Sequence, residues 1–334
     1  MKSLLVGCGG IAEVHAEALH ALDREIAAFA DIRPERARGM ADVYGGRAYA
    51  SLSDMLEKEQ ADVLHICTPH YLHVPMAIEA LQKGMHVVME KPPAMTGEQE
   101  KELRQALSGA PGQLAVCFQN RYNPANRRVK ELLEKKELGE VKGARAFVTW
   151  EREAPYYTES GWRGTWKTEG GGVLINQSIH TLDLLCHLLG DPRQVSATIA
   201  NHHLRDVIEV EDSAEARIVF KSGAVGLFYA TTGYCTDSPV LVEIVCEKGY
   251  IRIEGDDLLI QGEGGRREQI HFAPAAHVGK DCWGASHLLL LRDFYHCIET
   301  GKPFALDYTQ ACRTLHLMLA IYESNRTGQS VCCE

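Results

Sequence analysis

The chain has 334 residues, 45% hydrophobic and 24% charged, a globular mix long enough for two domains. A net charge of −10 offers nothing to neutralise a phosphate backbone, which argues against nucleic acid as a partner. The opening apolar run, residues 4–6, is too short for a signal-peptide core, and no stretch approaches the ~20 apolar residues of a membrane span. The expectation is a cytoplasmic protein with no membrane partner.

The first part alternates strand and helix patterns. KSLLVG is a short apolar strand ending in glycine, and residues 12–22 follow as a helix. EIAAFAD reads as a second strand, 34–44 as a helix opened by Pro34, and a short helix begins at Ser51. ADVLHICT is a third strand, 74–83 a helix stopped by Gly84, MHVVMEKP a strand, TGEQEKELRQAL a helix and QLAVCFQ a strand. This alternation predicts a parallel doubly wound sheet over residues 1–120.

After Gln119 the pattern changes. Residues 124–136 read as a helix and VKGARAFVTW as a strand, followed by a Gly/Trp-rich loop and the stretch EGGGVLINQSIHTLDLL. QVSATIA, DSAEARIVF, AVGLFYATT, LVEIVCE, YIRIEG and LLIQ read as strands, several joined by glycine turns such as 221–223 and hence antiparallel. Helices over 286–299 and 308–324 close the chain, so residues 121–334 are expected to form an α+β domain. AVGLFYA and LVEIVC are apolar on nearly every residue, which predicts cover on both faces. The domain's helices would take one face and a second copy the other, in a homodimer or homotetramer.

Eleven cysteines form no C-x-x-C pair. Cys8, Cys67 and Cys117 each end a strand-like run, so reduced thiols acting as small buried hydrophobes are expected. Cys332 and Cys333 are adjacent, a poor arrangement for a bridge. His70-x-x-His73 lacks a cysteine or carboxylate set to complete it, and no metal is expected.

Gly7-Cys8-Gly9-Gly10-Ile11-Ala12 fits G-x-G-x-x-A between the first strand and the first helix, the context that dinucleotide binding requires. Gly7 permits the turn, Gly9 lets backbone approach a pyrophosphate, and Ala12 keeps the helix close to the sheet. Asp31 ends the second strand some two dozen residues beyond Gly7, near the ~20 expected of the acid that bonds the adenosine ribose. It favours NAD; Arg33, within reach of a 2′-phosphate, keeps NADP open. Asp31 also suits a cap for the helix at Pro34. Thr68-Pro69 and Glu90-Lys91-Pro92-Pro93 end strands at the sheet edge where ligands sit in open α/β folds. A lysine there is by base rate a solvated charge, but Lys91 follows an apolar strand and precedes two prolines.

In EGGGVLINQSIHTLDLL, helical spacing puts Asn176, His180 and Asp183 on one face of an otherwise apolar helix. A polar stripe on a buried helix must be hydrogen-bonded, within the protein or to a ligand.

The glycine turn with CTPHYLH, MEKPPAMT, QNRYNP, GWRGTW and GGGVLINQSIHTLDLL resembles the glucose–fructose oxidoreductase/inositol dehydrogenase (Gfo/Idh/MocA) family, from the first strand to AIYESNRTGQSV. The resemblance implies a Rossmann domain followed by a domain with a large open-faced, mainly antiparallel sheet. It also implies nicotinamide-dependent chemistry on a carbohydrate or polyol. Lys91 matches the family's E-K-P lysine and His180 its active-site histidine; a cis Lys91–Pro92 bond is expected with them. Gly10, Ile11, Arg33, Thr68, Pro69, His73, Glu90 and Lys91 join the implied cofactor set. Arg121, Tyr122, Trp162, Arg163 and Asn176 join Lys91 and His180 as substrate residues; the arginines and aromatics equally suit contacts between domains. Many family dehydrogenases carry Asp where this chain has Asn176, which cannot hold a proton. Proton transfer then falls to His180 and Lys91, the lysine with its pKa lowered by burial and by the nicotinamide charge. On this reading the glycines let the chain approach the ligand, and Asp183 supports from behind.

The leading expectation is hydride transfer between NAD(P) and a hydroxyl or carbonyl of a sugar, inositol or sugar derivative. One alternative is a redox-neutral enzyme that cleaves or epimerises through a transient keto sugar. Another is a non-catalytic sugar-sensing regulator.

Overall fold

In the computed structural model, which describes residues 1–272 and 286–333, the chain forms two units. The first comprises residues 1–119 and 286–312, the second residues 120–272 and 313–333.

The first unit carries six parallel strands: β1 (Lys2–Val6), β2 (Glu25–Ala30), β3 (Arg47–Tyr49), β4 (Val63–Ile66), β5 (His86–Met89) and β6 (Leu114–Val116). Their order, β3-β2-β1-β4-β5-β6, places the switch point between β1 and β4. The helices are α1 (Gly10–Ala21), α2 (Pro34–Tyr44), α3 (Leu52–Lys58), α4 (His73–Gln82) and α5 (Gly97–Ser108). Caps mark two starts: Ser51 accepts Asp54 N, and Thr96 accepts Gln99 N. Every residue of β4 is buried, as a parallel strand covered on both faces requires. The short β3 is not evident in the sequence.

The expected division at residue 120 assigns the helix over 286–299 to the second domain. The structure corrects this. That helix (His287–Thr300) belongs to the first unit, where it packs on α1 with Leu290, Leu291, Phe294 and Tyr295 fully buried. Tyr295 Oη meets Ser3 Oγ at 2.6 Å and His65 Nε2 at 2.9 Å, bonds that fasten it to β1 and β4.

The second unit opens with α6 (Pro124–Glu134), β7 (Val141–Thr149), α7 (Ala154–Thr158) and α8 (Ile179–Leu189). Strands β8 (Pro192–Ala200), β9 (Ser213–Phe220), β10 (Val225–Thr231), β11 (Leu241–Cys246), β12 (Gly249–Glu254), β13 (Asp257–Gly262) and β14 (Arg267–His271) follow. Helix α9 is the His287–Thr300 helix of the first unit; α10 (Tyr308–Thr327) and β15 (Val331–Cys332) end the chain. The nine strands order as β14-β13-β12-β11-β7-β10-β9-β8-β15, antiparallel except for β7 beside β10. One face is core: Ala146, Val148, Phe228, Ala230, Ile244 and Ile251 are buried. On the other face Leu227, Tyr229 and Val245 are 53%, 38% and 51% exposed. The all-apolar strands are thus covered on one face by their own chain, and their second face is open in the single chain.

Candidate active site

The first unit builds a dinucleotide cradle from its glycines. Gly7, at φ +86°, follows β1, and a Cβ there would lie 2.7 Å from the Cys67 backbone after β4. Only glycine lets the two strand ends approach this closely. Gly9 differs: it caps α1, and an added Cβ would meet nothing within 4 Å. Internal packing gives no reason for glycine here, whereas a pyrophosphate lying on the helix start does. No side chain caps α1, which leaves its first N–H groups to such an anion. Gly10 and Ile11 open the helix, and Ala12 is fully buried beneath it. The residues present therefore fit NAD.

Asp31 closes the cradle. Its Oδ2 accepts Cys8 N at 2.7 Å and its Oδ1 accepts Arg33 N at 2.8 Å, tying the end of β2 to the glycine turn. The Arg33 side chain is exposed and α2 has no side-chain cap, so Asp31 braces the turn before that helix instead of capping it. Burial, then Asp31, push the Cys8 thiol up to about 12, which keeps it protonated.

At the same edge Thr68, Pro69 and Lys91 are half-buried, and the Lys91–Pro92 bond is cis. His73 and Glu90 fill other places than the resemblance implies. His73 is fully buried, with Nδ1 3.1 Å from Pro92 O and Nε2 2.9 Å from Thr68 O; burial lowers its pKa, so the neutral ring donates its one N–H to a carbonyl of the edge loops. Glu90 turns inward: its Oε1 lies 3.0 Å from His15 Nε2 and 3.1 Å from His287 Nε2.

Behind Glu90 runs a buried polar chain that the sequence did not disclose. His15 Nδ1 meets His65 Nδ1 at 2.9 Å, and His65 continues to Tyr295 and Ser3. Burial holds the pKa of His15 below its ordinary value and that of His65 well below. Burial alone would raise Glu90, but the bonds from His15 and His287 outweigh it and keep the carboxyl ionised. Neutral histidines then give one consistent direction of donation: Ser3 to Tyr295 to His65 to His15 to Glu90. Ligand atoms of His15, Glu90, Cys117 and His287 fall within 4.8 Å of one another, a grouping absent from the metal reading of the sequence. Two imidazole N–H donors on one carboxylate oxygen account for its geometry.

In the second unit the polar stripe divides. Helix α8 starts only at Ile179, so Asn176 precedes it, in turns closed by Asn176 N to Gly172 O and Ser178 N to Val173 O. The regular i, i+4, i+7 face expected from spacing does not exist. The cause is Glu211, fully buried beneath the segment: its Oε1 accepts Gly172 N, Leu174 N and the Tyr322 hydroxyl. Gly171 and Gly172 are required by this packing. A Cβ on Gly171 would lie 2.0 Å from Tyr322 Oη and one on Gly172 1.9 Å from Glu211 O.

Asp183 points inward, fully buried. Arg121 Nε and Nη2 reach its two oxygens at 2.7 and 2.6 Å, and Thr314 adds a third bond. Arg121, expected at the substrate, is thereby committed to a bidentate internal pair, with Tyr122 half-buried beside it. Along residues 171–180 only Asn176 and His180 keep partial exposure. Glu169, fully buried and missed in the sequence, orients Asn176: Oε1 accepts its Nδ2 at 2.6 Å and Oε2 accepts Gly164 N at 2.5 Å. Arg163 stacks between rings, its Cζ 4.3 Å from the Tyr156 centroid and 4.8 Å from that of Trp162. Tyr156 Oη accepts Gln177 Nε2 at 3.2 Å.

A parallel sheet with its switch point above a glycine turn, an acid at the end of β2 and a lysine at the edge defines a dinucleotide-binding oxidoreductase. Residues 1–118 match the model of the oxidoreductase family with NAD-binding Rossmann fold, and residues 126–252 that of the GFO/IDH/MocA C-terminal domain. The chain belongs to the GFO/IDH/MocA family of oxidoreductases. It is 33% identical to the D-glucoside 3-dehydrogenase of Escherichia coli, over 99% of this chain and 97% of that enzyme. It is 33% identical to the WlbA dehydrogenase of Bordetella pertussis, solved with NADH and UDP-GlcNAcA, with a TM-score of 0.87 over 100% of this chain and 98% of that one. The myo-inositol 2-dehydrogenase of Thermotoga maritima is 23% identical over 99% of this chain and 98% of its own length.

Proposed function

We propose that this oxidoreductase is an NAD-dependent dehydrogenase of a sugar or sugar derivative, with Lys91 and His180 as its catalytic residues. The observation that carries the reading is Gly9, a glycine that the protein's own packing does not require at the start of α1. The relatives described above support the substrate class. NAD, when bound, supplies the hydride acceptor. The His180 imidazole takes the hydroxyl proton as the carbon is oxidised, and Lys91 Nζ donates a hydrogen bond to the reacting oxygen. Asn176, oriented by Glu169, contacts a substrate hydroxyl, with Trp162 and Arg163 beside it. Thr68 and Pro69 line the cofactor, and Asp31 selects NAD over NADP through the ribose hydroxyls. Incubating the protein with NAD and a panel of pyranosides, and following NADH absorbance, tests the reading; activity with none of them rejects it.

We further propose a homodimer or homotetramer formed through the open sheet face, where Leu227, Tyr229 and Val245 are exposed. A monomer by light scattering at micromolar concentration excludes this. Among the described residues no helix is long and apolar enough to cross a membrane. The ten described cysteines are all free thiols, exposed Cys235 and Cys332 among them, which supports a cytoplasmic setting.

A further inference from the structure

Arg163 is built to meet an anion. Its guanidinium lies against two aromatic rings, Tyr156 and Trp162, and its Nε is buried with no hydrogen-bond partner. Among the described residues no carboxylate lies within ion-pair distance of it. The contrast with Arg152 is direct: that arginine also approaches the Tyr156 ring, at 5.5 Å, but Asp237 neutralises it at 2.8 Å. Glu169, six residues beyond Arg163, acts on the same Tyr156 hydroxyl but makes no ion pair with Arg163; its two oxygens accept Gly164 N and Asn176 Nδ2. A half-buried guanidinium lying over two rings has lost part of its water and makes no ion pair among the described residues. Its fork is pre-organised for two parallel bonds to a carboxylate or phosphate.

Two connections place this cation next to Asn176. Glu169 links the backbone beside Arg163 to the Asn176 amide, and Gln177, the neighbour of Asn176, bonds the ring on which Arg163 stacks. We propose that Arg163 is an anion subsite, so that the substrate is a sugar carrying a carboxylate or phosphate group and not a neutral glycoside. This rests on the reading of Asn176 as a substrate contact.

The test is equilibrium binding to the full chain saturated with NADH, by calorimetry, with three probes: methyl β-D-glucuronide, glucose 1-phosphate and methyl β-D-glucoside. At least one anionic probe is expected to bind roughly 30-fold or more tightly than the neutral one, the scale of losing one member of a desolvated charge pair. The glucuronide leading identifies a carboxylate; the phosphate ester leading identifies a phosphate. Arg163→Met should abolish the difference, and Arg163→Lys should restore part of it through a point charge. Equal binding of all three probes by the wild type, no binding of either anion, or a preference that survives Arg163→Met overturns the proposal. Equal loss of all probes in both variants also overturns it, by showing that Arg163 is structural. Intact anion preference in a protein that oxidises no sugar would reject the dehydrogenase reading alone.

Discussion

Glu169 and Asn176 form a fixed pair, Nδ2 donating to Oε1 at 2.6 Å inside a fully buried carboxylate's shell. The bond fixes the orientation of the amide, with Nδ2 donating to the carboxylate; on the proposed reading, Oδ1 is the end that accepts from a substrate hydroxyl. Asn176→Asp therefore does more than add a charge. It puts two carboxyl groups at hydrogen-bond distance, where one must hold a proton. Activity of Asn176→Asp is expected to fall about 10- to 100-fold at pH 8 and to recover toward pH 6. The double variant Glu169→Gln/Asn176→Asp, which restores a donor–acceptor match, should regain activity at pH 8. A pH–rate profile unchanged by Asn176→Asp would show that the pair does not reach the substrate.

Gly7 and Gly9 belong to one motif but answer to different constraints. Gly7→Ala should lower the unfolding midpoint sharply, since its Cβ would strike backbone at 2.7 Å at a positive φ. Gly9→Ala should leave the midpoint within about 1 °C and weaken NADH binding by at least about tenfold. Denaturation curves and NADH titrations of both variants check this. In the same titration NADH should bind the wild type more tightly than NADPH because of Asp31.

The Rossmann half was legible because each strand end carried its own signal: a glycine turn, Thr68-Pro69 and Glu90-Lys91-Pro92. The direction of Glu90 was not, because its partners His15 and His287 come from two helices distant in sequence. For the same reason α9 was assigned to the wrong unit: its bonds to Ser3 and His65 leave no trace in its own sequence. The polar stripe was misread because spacing assumed a helix, whereas Glu211 holds the segment in turns. Strands β3 (RAY) and β14 (REQIH) are largely polar and β15 is two residues long, so none carries the apolar run that marks β4 to β6.

Burial raises Glu211 from its ordinary 4.5 to about 7, against the opposing bonds from Leu174 N, Gly172 N and Tyr322. Between those two values the folded protein binds a proton that the unfolded chain does not. Glu211 thus contributes stability that is full below pH 4.5, falls as pH rises and is gone above about 7. Replacing it with glutamine should flatten the stability profile over this range and make the variant the more stable protein at pH 8. Urea denaturation at pH 5, 6.5 and 8 measures the effect; parallel profiles for the two proteins would contradict it.

Arg121 and Asp183 are a buried pair, with side chains 9% and 1% exposed. Asp183→Ala and Arg121→Ala should each destabilise the protein by about 3–5 kcal/mol, because each leaves a buried charge without its opposite. The double variant should lose less than the sum. Additive losses in urea denaturation would show that the two side chains act independently.

The most direct measurement is steady-state oxidation of the best substrate in the panel by wild type, Lys91→Ala and His180→Ala, with NADH affinity measured alongside. Each variant should lose about 10²–10⁴ in kcat, the scale of a positioned acid–base group, while NADH affinity stays within about threefold. The double variant should lose less than the product of the two, if both groups serve one proton transfer. Wild-type kcat in both single variants, with cofactor still bound, would contradict the assignment of Lys91 and His180 as the catalytic pair.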